Sequence, residues 1–177
     1  YGWPEGAQIK LTVGDPASPL VERVESVGNA PDIGGPGNIR FQFGDEFKLL
    51  NGQTVTLSRT DGSYTRTHTI TDLVVTGINA DVNRIAGTAA ADSEVEIYNK
   101  WDQRVWRHEI ATDGSWTANF NEVGDDPDEV VADIQPGEEY HVCQSAQEGS
   151  TCWYLPILNP RVIVSLHRNA VIDQGWP

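Results

Sequence analysis

Short runs of alternating apolar and polar residues recur along this chain, and turn-forming dipeptides separate them. Val95 and Ile97 alternate in this way, as do Trp116, Ala118 and Phe120. The turn signals are Asn51-Gly52, Asp61-Gly62, Asp113-Gly114 and Pro136-Gly137. A period of two places every second residue on one face of a strand, whereas a helix needs a period near 3.6, which is nearly absent here. The sequence therefore predicts an all-β fold of antiparallel β-sandwiches.

The strand candidates fall into two groups followed by a tail. Residues 73–156 supply about seven candidates, the number of strands in an immunoglobulin-like sandwich, whereas residues 7–70 supply about five. In chain order the candidates are 7–13, 20–27, 38–43, 53–59, 64–70, 73–78, 82–87, 93–98, 104–110, 115–120, 138–144 and 151–156. We predict two immunoglobulin-like sandwiches in series, an incomplete one over 1–72 and a complete one over 73–160, with a linking strand in 161–177.

The tripeptide Gly-Trp-Pro occurs twice, as Gly2-Trp3-Pro4 and as Gly175-Trp176-Pro177. Recurrence of a motif after a long fixed interval is the sequence signature of tandem repeats. We expect Trp3 and Trp176 to lie at junctions between successive copies. Alternatively, the chain is a subunit whose end resembles the junction that its own beginning forms with a neighbour.

Residues 161–172 read as one strand with an apolar face. Val162, Val164 and Leu166 share that face, and Ala170 and Ile172 continue it. The second sandwich has no vacancy for this strand, whereas the first is one or two strands short. We therefore expect the strand to complete the first sandwich of a following copy, so that copies join head to tail. The sequence does not distinguish copies within one chain from separate subunits.

The two cysteines, Cys143 and Cys152, flank a polar segment that contains a glycine. Both flanks read as strands, so a hairpin closed by a disulfide is the favoured interpretation, and it implies an oxidising compartment. Free thiols are one alternative. A metal site with His141 is another, but it lacks further ligands at suitable spacing.

The charge balance excludes two classes of partner. Acidic residues outnumber basic ones 26 to 12, for a net charge of −14, and residues 75–160 carry 16 acidic residues against 4 basic ones. Nucleic acid and anionic membrane surfaces would be repelled. No apolar run approaches the roughly 18–20 residues that span a bilayer, so we expect no membrane insertion. The chain contains no Met, and we expect it to be a processed product or a fragment.

Residues 73–156 resemble bacterial immunoglobulin-like repeats of large secreted and cell-surface proteins. The matching segments are Val75-Thr76-Gly77, Ile85-Ala86-Gly87-Thr88-Ala89, Ser93-Glu94-Val95-Glu96-Ile97 and Thr112-Asp113-Gly114-Ser115-Trp116-Thr117-Ala118-Asn119-Phe120. The resemblance implies that the Asp-Gly-Ser-Trp segment is a turn whose Trp enters the core. Residues 1–72 resemble companion domains of such proteins more weakly, through residues 2–7 and 50–57. The pair Cys143 and Cys152 departs from the pattern.

Catalytic motifs are missing from the sequence, and we expect a protein that is not an enzyme and carries no cofactor. Neither cysteine has a catalytic context, and no Gly-x-Ser-x-Gly motif occurs. Asp125, Asp126 and Asp128 form a weak calcium candidate, because Ca²⁺ prefers closely spaced carboxylates in a loop. The spacing does not match an EF-hand, and a solvated acidic loop is the alternative.

Six tryptophans occur in the chain. Trp101, Trp106 and Trp153 are candidates for a carbohydrate platform, although packing or interface roles are the commoner use of such residues.

These sequence features together suggest two functions. The first is a structural repeat unit of an extracellular fibre, stalk or adhesin array, secreted or at the cell surface, whose partners are other copies of itself. The alternative is a carbohydrate-binding accessory module with a glycan as its partner.

Overall fold

The computed structural model describes residues 2–28, 37–102, 104–146 and 148–158, together with the backbone of two strands between 161 and 174. Its contacts divide the chain into two compact units. Unit 1 comprises Tyr1–Thr71 with Ala146–Ser150, and unit 2 comprises Asp72–Ser145 with Thr151–Pro177. The predicted tail segment 161–177 is therefore grouped with unit 2.

Unit 1 contains one four-stranded antiparallel sheet in the order β2-β1-β3-β4. Its strands are β1 (Gln8–Asp15), β2 (Ser18–Ser26), β3 (Thr54–Arg59) and β4 (Thr65–Thr69). The predicted strand at 38–43 is wrong, because this segment does not pair as a strand. Ile39 and Phe41 instead pack against the core of the unit. Alternation alone does not distinguish a paired strand from an unpaired segment that lies on a sheet.

The core of unit 1 covers one face of its sheet. Ile9, Leu11 and Val13 alternate along β1 and are at most 5% exposed. Ile9 forms a buried cluster with Trp3 and Val27, against which Ile39, Phe41 and Leu57 pack. Strand β2 alternates between half-buried and exposed residues only, as suits a strand at the edge of the sheet.

Up to residue 158, the described residues of unit 2 form seven strands in two antiparallel sheets, which confirms the all-β prediction. The sheets are β5-β6-β9 and β11-β10-β7-β8. The strands are β5 (Val74–Asn79), β6 (Arg84–Thr88), β7 (Glu94–Asn99), β8 (Trp106–Ile110), β9 (Ser115–Asn119), β10 (Glu139–Ala146) and β11 (Gly149–Pro156). Each lies within about two residues of its predicted bounds. A single 3-10 turn, Ala80–Val82, joins β5 to β6.

The core of unit 2 draws alternate residues from both sheets. From the three-stranded sheet come Ile85, Trp116, Ala118 and Phe120, and from the four-stranded sheet Val95, Ile97, Tyr140 and Val142, all at most 3% exposed. Two apolar sheet faces that supply one core form a sandwich. Trp116 is buried, as the Asp-Gly-Ser-Trp turn predicts.

Gly87 shows why the Ile-Ala-Gly-Thr segment carries a glycine. A Cβ atom at this position would collide with the carbonyl oxygen of Val74 and with the indole ring of Trp116. Strand β6 pairs Gly87 with Trp116 on β9, so the large ring lies over the bare backbone. A small residue and a large one thus fill adjacent positions of the core.

The segment after unit 2's seventh strand forms two strands and not one. β12 (Arg161–Ser165) pairs antiparallel with β13 (Ala170–Gln174) in a two-stranded sheet. The predicted continuous strand over 161–172 is therefore corrected to a pair of strands. Both segments are rich in Val and Ile, which favour strands in either arrangement. Local alternation alone could not reveal that the second segment turns back on the first.

Candidate functional site

The hairpin of β10 and β11 contains the predicted disulfide. Cys143 and Cys152 are bonded, with their Cα atoms 4.2 Å apart. Cys143 is 6% exposed and lies on the central strand β10, while Cys152 lies on the edge strand β11. The bond therefore fastens an edge strand to its neighbour. It also makes the free-thiol and metal interpretations of these cysteines wrong.

The first Gly-Trp-Pro belongs to the core of unit 1. Trp3 is only 6% exposed, and its ring meets that of Tyr64 edge to face with centroids 5.3 Å apart. The guanidinium of Arg66 lies 5.8 Å from the centroid of the Trp3 ring, and its Nε donates to the Tyr64 hydroxyl at 3.0 Å. Pro4 starts a turn in which its carbonyl accepts from the Ala7 N–H. Trp3 thus packs inside its own unit, whereas Trp176 lies outside the described residues.

The residues of the predicted linking strand occupy both C-terminal strands. Val162 and Val164 lie in β12, and Ala170 and Ile172 lie in β13, while Leu166 lies outside the described residues. Ile172 pairs with Ile163, and Ala170 pairs with Ser165. Residues opposite one another in an antiparallel pair share a face. The register therefore places Ala170 and Ile172 on the face opposite Val162 and Val164, which corrects the single apolar face.

The acidic loop that follows β9 is fastened by a buried arginine. Arg107 is 2% exposed, and its guanidinium donates to the carbonyls of Glu122 at 2.6 Å and Val130 at 2.9 Å. It also donates to the carbonyls of Trp106 and Asn119. A buried guanidinium needs such acceptors, because an unsatisfied charge in a core is costly. Strand alternation does not identify Arg107 as buried. The available sequence signal is its position between the aromatic residues Trp106 and His108.

Glu129 anchors the same loop by its side chain. It is 1% exposed, and its carboxylate accepts from the backbone N–H of His108 at 2.7 Å. Asp125, Asp126 and Asp128 precede it in the loop. Within the part of the chain that the structure describes, no three or more His, Cys, Asp or Glu side chains are grouped so as to hold a metal ion. Protein contacts to Arg107 and Glu129 hold the loop in place.

Glu109, two residues beyond Arg107 on β8, has an unusual environment. Burial, followed by the nearby negative charge of Glu129, raises its pKa to about 7. Asp125 raises the pKa further, while Arg107 and His108 oppose the rise. Burial disfavours the ionised carboxylate, and a like charge adds to the effect. This carboxyl group therefore changes charge near neutral pH.

The three tryptophans of the predicted platform do not line up. Trp101 is 70% exposed beside β7, and Trp106 is half-buried on β8. Trp153 is 42% exposed and donates its indole N–H to the Leu73 carbonyl at 2.9 Å. It lies two residues before the buried Leu155, so the two share a face of β11. Tyr154, between them, is the ring on the outer face.

No helix in the described residues is long and apolar enough to cross a membrane.

The similarity of this chain to known proteins is limited to solved structures. No protein-family model matches the chain, and no curated protein matches it. Among solved structures, the chain is similar to the crystal structure of a tetra-tandem repeat in the extending region of a large adhesion protein. The two are 15% identical with a TM-score of 0.29, over 92% of this chain and 45% of that chain. This chain thus spans less than half the length of the solved one.

Proposed function

We propose that this chain is a structural repeat unit of an extracellular fibre, stalk or adhesin array, in which copies follow one another head to tail. The observation that carries the proposal is the placement of Gly-Trp-Pro. The first tripeptide leads into β1, and its Trp3 is part of the unit 1 core. The second, residues 175–177, directly follows β13. A motif that begins one unit and recurs after the last strand is suited to begin the next.

An extracellular location is supported by the disulfide. A disulfide between Cys143 and Cys152 persists in oxidising surroundings. The net charge of −14 keeps copies apart except where a specific contact joins them. We propose a mechanical role without catalysis, in which the two units of each copy act as spacers along a fibre.

We propose that the C-terminal strands β12 and β13 form the link between copies. Among the described residues, β12 and β13 pair with each other in a two-stranded sheet, so the outer edge of each strand could be extended by the edge of another sheet. The four-stranded sheet of unit 1 has β2 and β4 at its edges. The same link would serve copies within one long chain or copies that are separate subunits.

A two-copy chain tests the proposal, with residues 175–177 leading directly into residue 5 of a second copy. We expect the Trp176→Ala substitution in this chain to destabilise the second unit 1, because Trp176 would then occupy the place of Trp3. The matched control is Trp3→Ala, which should destabilise the first unit 1 by a similar amount of about 3–5 kcal/mol. Calorimetry with each copy resolved by a marker substitution measures both effects.

Two results would contradict the proposal. One is a Trp176→Ala substitution that leaves the two-copy chain as stable as before, while Trp3→Ala destabilises it. The other is a two-copy chain whose second unit 1 fails to fold, since a true repeat unit folds behind its predecessor. A single-copy chain with Trp176→Ala serves as reference and should match the unsubstituted chain.

A further inference from the structure

Four rings form a row across the outer face of the four-stranded sheet in unit 2. Trp106 on β8 pairs with Tyr98 on β7, and Tyr98 pairs with His141 on β10. The ring of His141 meets that of Tyr154 on β11 edge to face, with centroids 4.5 Å apart. Each strand therefore contributes one ring. With neighbouring strands about 4.8 Å apart, the row is roughly 14 Å long.

The alternation of each strand turns these rings away from the core. Arg107, Ile97, Val142 and Leu155 lie beside them in sequence and are at most 9% exposed. Successive strand residues point to opposite faces, so the rings point outward. Tyr154 at one end of the row is 64% exposed. Trp106, Tyr98 and His141 are half-buried, so the row lies on the outer face of the sheet and is most exposed at its Tyr154 end.

Polar groups with fixed partners run alongside the rings. His141 shares hydrogen bonds with the Tyr98 hydroxyl at 3.3 Å and with the Glu139 carboxylate at 3.0 Å. Lys100 donates to both oxygens of Glu139 at 3.0 Å, and these bonds lower the pKa of Glu139. The Lys100 ammonium also lies 4.7 Å from the ring centroid of Trp101, which is 70% exposed. Donors and acceptors are thus held in position beside the rings.

We propose that this ring row binds an extended, uncharged polysaccharide. A sugar ring has an apolar C–H face that packs on aromatic rings, and its hydroxyl groups need donors and acceptors in set places. The row supplies the first requirement, and the Lys100, Glu139 and His141 network supplies the second. Acidic glycans are disfavoured, because residues 75–160 carry 16 acidic residues and 4 basic ones. Such a site would add glycan recognition to the structural role.

Calorimetric titration of the full chain tests the proposal. The probes are cellohexaose, xylohexaose and chitohexaose, with hexagalacturonic acid as the acidic comparison. We expect at least one neutral hexamer to bind, and hexagalacturonic acid to bind at least tenfold more weakly. Tyr154→Ala should weaken binding about tenfold, which corresponds to the loss of one ring contact of about 1.4 kcal/mol. Trp101→Ala should also weaken binding. Both side chains are largely exposed and contribute little to folding, so both variants should fold.

The matched control is Tyr64→Ala, which removes a tyrosine that is 48% exposed in unit 1. It should leave the affinity unchanged. The proposal is overturned if none of the three neutral hexamers binds, or if hexagalacturonic acid binds most tightly. It is also overturned if Tyr154→Ala and Tyr64→Ala weaken binding equally. If Tyr154→Ala lowers self-association and leaves sugar binding intact, the row is a protein interface and the proposal is wrong. The two-copy test of the repeat unit involves no sugar, so the two proposals fail separately.

Discussion

At the scale of single residues, the sequence predicts those that follow strand alternation and misses those that depend on distant groups. Trp116 is identified by its turn and its alternation with Ala118, and it is 3% exposed. Arg107 breaks the same rule, because a charged residue in an alternating run is expected to face solvent. Its acceptors are carbonyls at positions 119, 122 and 130, and at its neighbour Trp106. That these loop carbonyls converge is not a property of local sequence.

Glu109 gives unit 2 a pH dependence near neutrality. Its folded pKa is about 7, above its ordinary value of 4.5, so the folded state binds the proton more tightly. The resulting stabilisation is fully present below about pH 4.5 and is lost as pH rises through about 7. We therefore expect the thermal unfolding midpoint of unit 2 to decrease as the pH is raised from about 5 to about 8, because this group loses its proton. Burial of the carboxyl group, followed by the charges of Glu129, Arg107, Asp125 and His108, sets the size of the pKa shift.

The substitution Glu109→Gln isolates this contribution. We expect it to flatten the fall in the unfolding midpoint between about pH 5 and 8 and to raise stability at pH 8, because glutamine stays neutral. Scanning calorimetry at constant ionic strength provides the measurement. Asp81→Asn is the control, since that side chain is exposed in the turn between β5 and β6 of the same unit. Parallel profiles for the unsubstituted chain and Glu109→Gln would show that this carboxyl group is not the origin.

At the scale of elements, the seven strands of unit 2 follow from alternation and turn dipeptides, but pairing does not. Residues 38–43 alternate as well as any true strand, yet Ile39 and Phe41 pack onto the unit 1 core without joining the sheet. In the C-terminal segment, the pairing of Ile163 with Ile172 folds a predicted single strand into two. Register depends on which segments meet in three dimensions, and period-two patterns carry no information about the partner.

The Cys143–Cys152 disulfide should stabilise the β10–β11 hairpin. It closes a loop with a sequence separation of 9, for which the loop-entropy estimate is roughly 2–3 kcal/mol. We expect the double variant Cys143→Ala, Cys152→Ala to lose about that amount in denaturant unfolding. Adding a reductant to the unsubstituted chain should reproduce most of the loss. The same reductant should leave the double variant unaffected. Equal stability of the double variant and the disulfide-bonded unsubstituted chain would contradict the prediction.

At the scale of the whole molecule, contacts divide the chain between Thr71 and Asp72, next to the point where the sequence pattern restarts. A new set of alternating strands needs its own core, so the restart marks the boundary. The grouping of 146–150 with unit 1 and of the C-terminal strands with unit 2 has no sequence signal. Both depend on long-range contacts. The ring row of unit 2 likewise emerges only when β8, β7, β10 and β11 take their order in the sheet.

A chain that ends at Leu158 tests what the C-terminal strands do for the molecule. Among the described residues whose burial is assigned, Ile157 is the last member of the unit 2 core. We therefore expect both units of the shortened chain to unfold at their usual midpoints in dilute solution. A synthetic peptide of residues 161–177 should then bind in trans to unit 1. At a concentration a hundredfold above its Kd, it should raise the free energy of unfolding of unit 1 by about 2.7 kcal/mol. The control peptide carries Val162→Asp and Val164→Asp, which place charges on one face of β12.

Loss of cooperative unfolding of unit 2 in the shortened chain would show that the tail is an integral part of that unit. A peptide with no effect on unit 1 would exclude these strands as the link between copies.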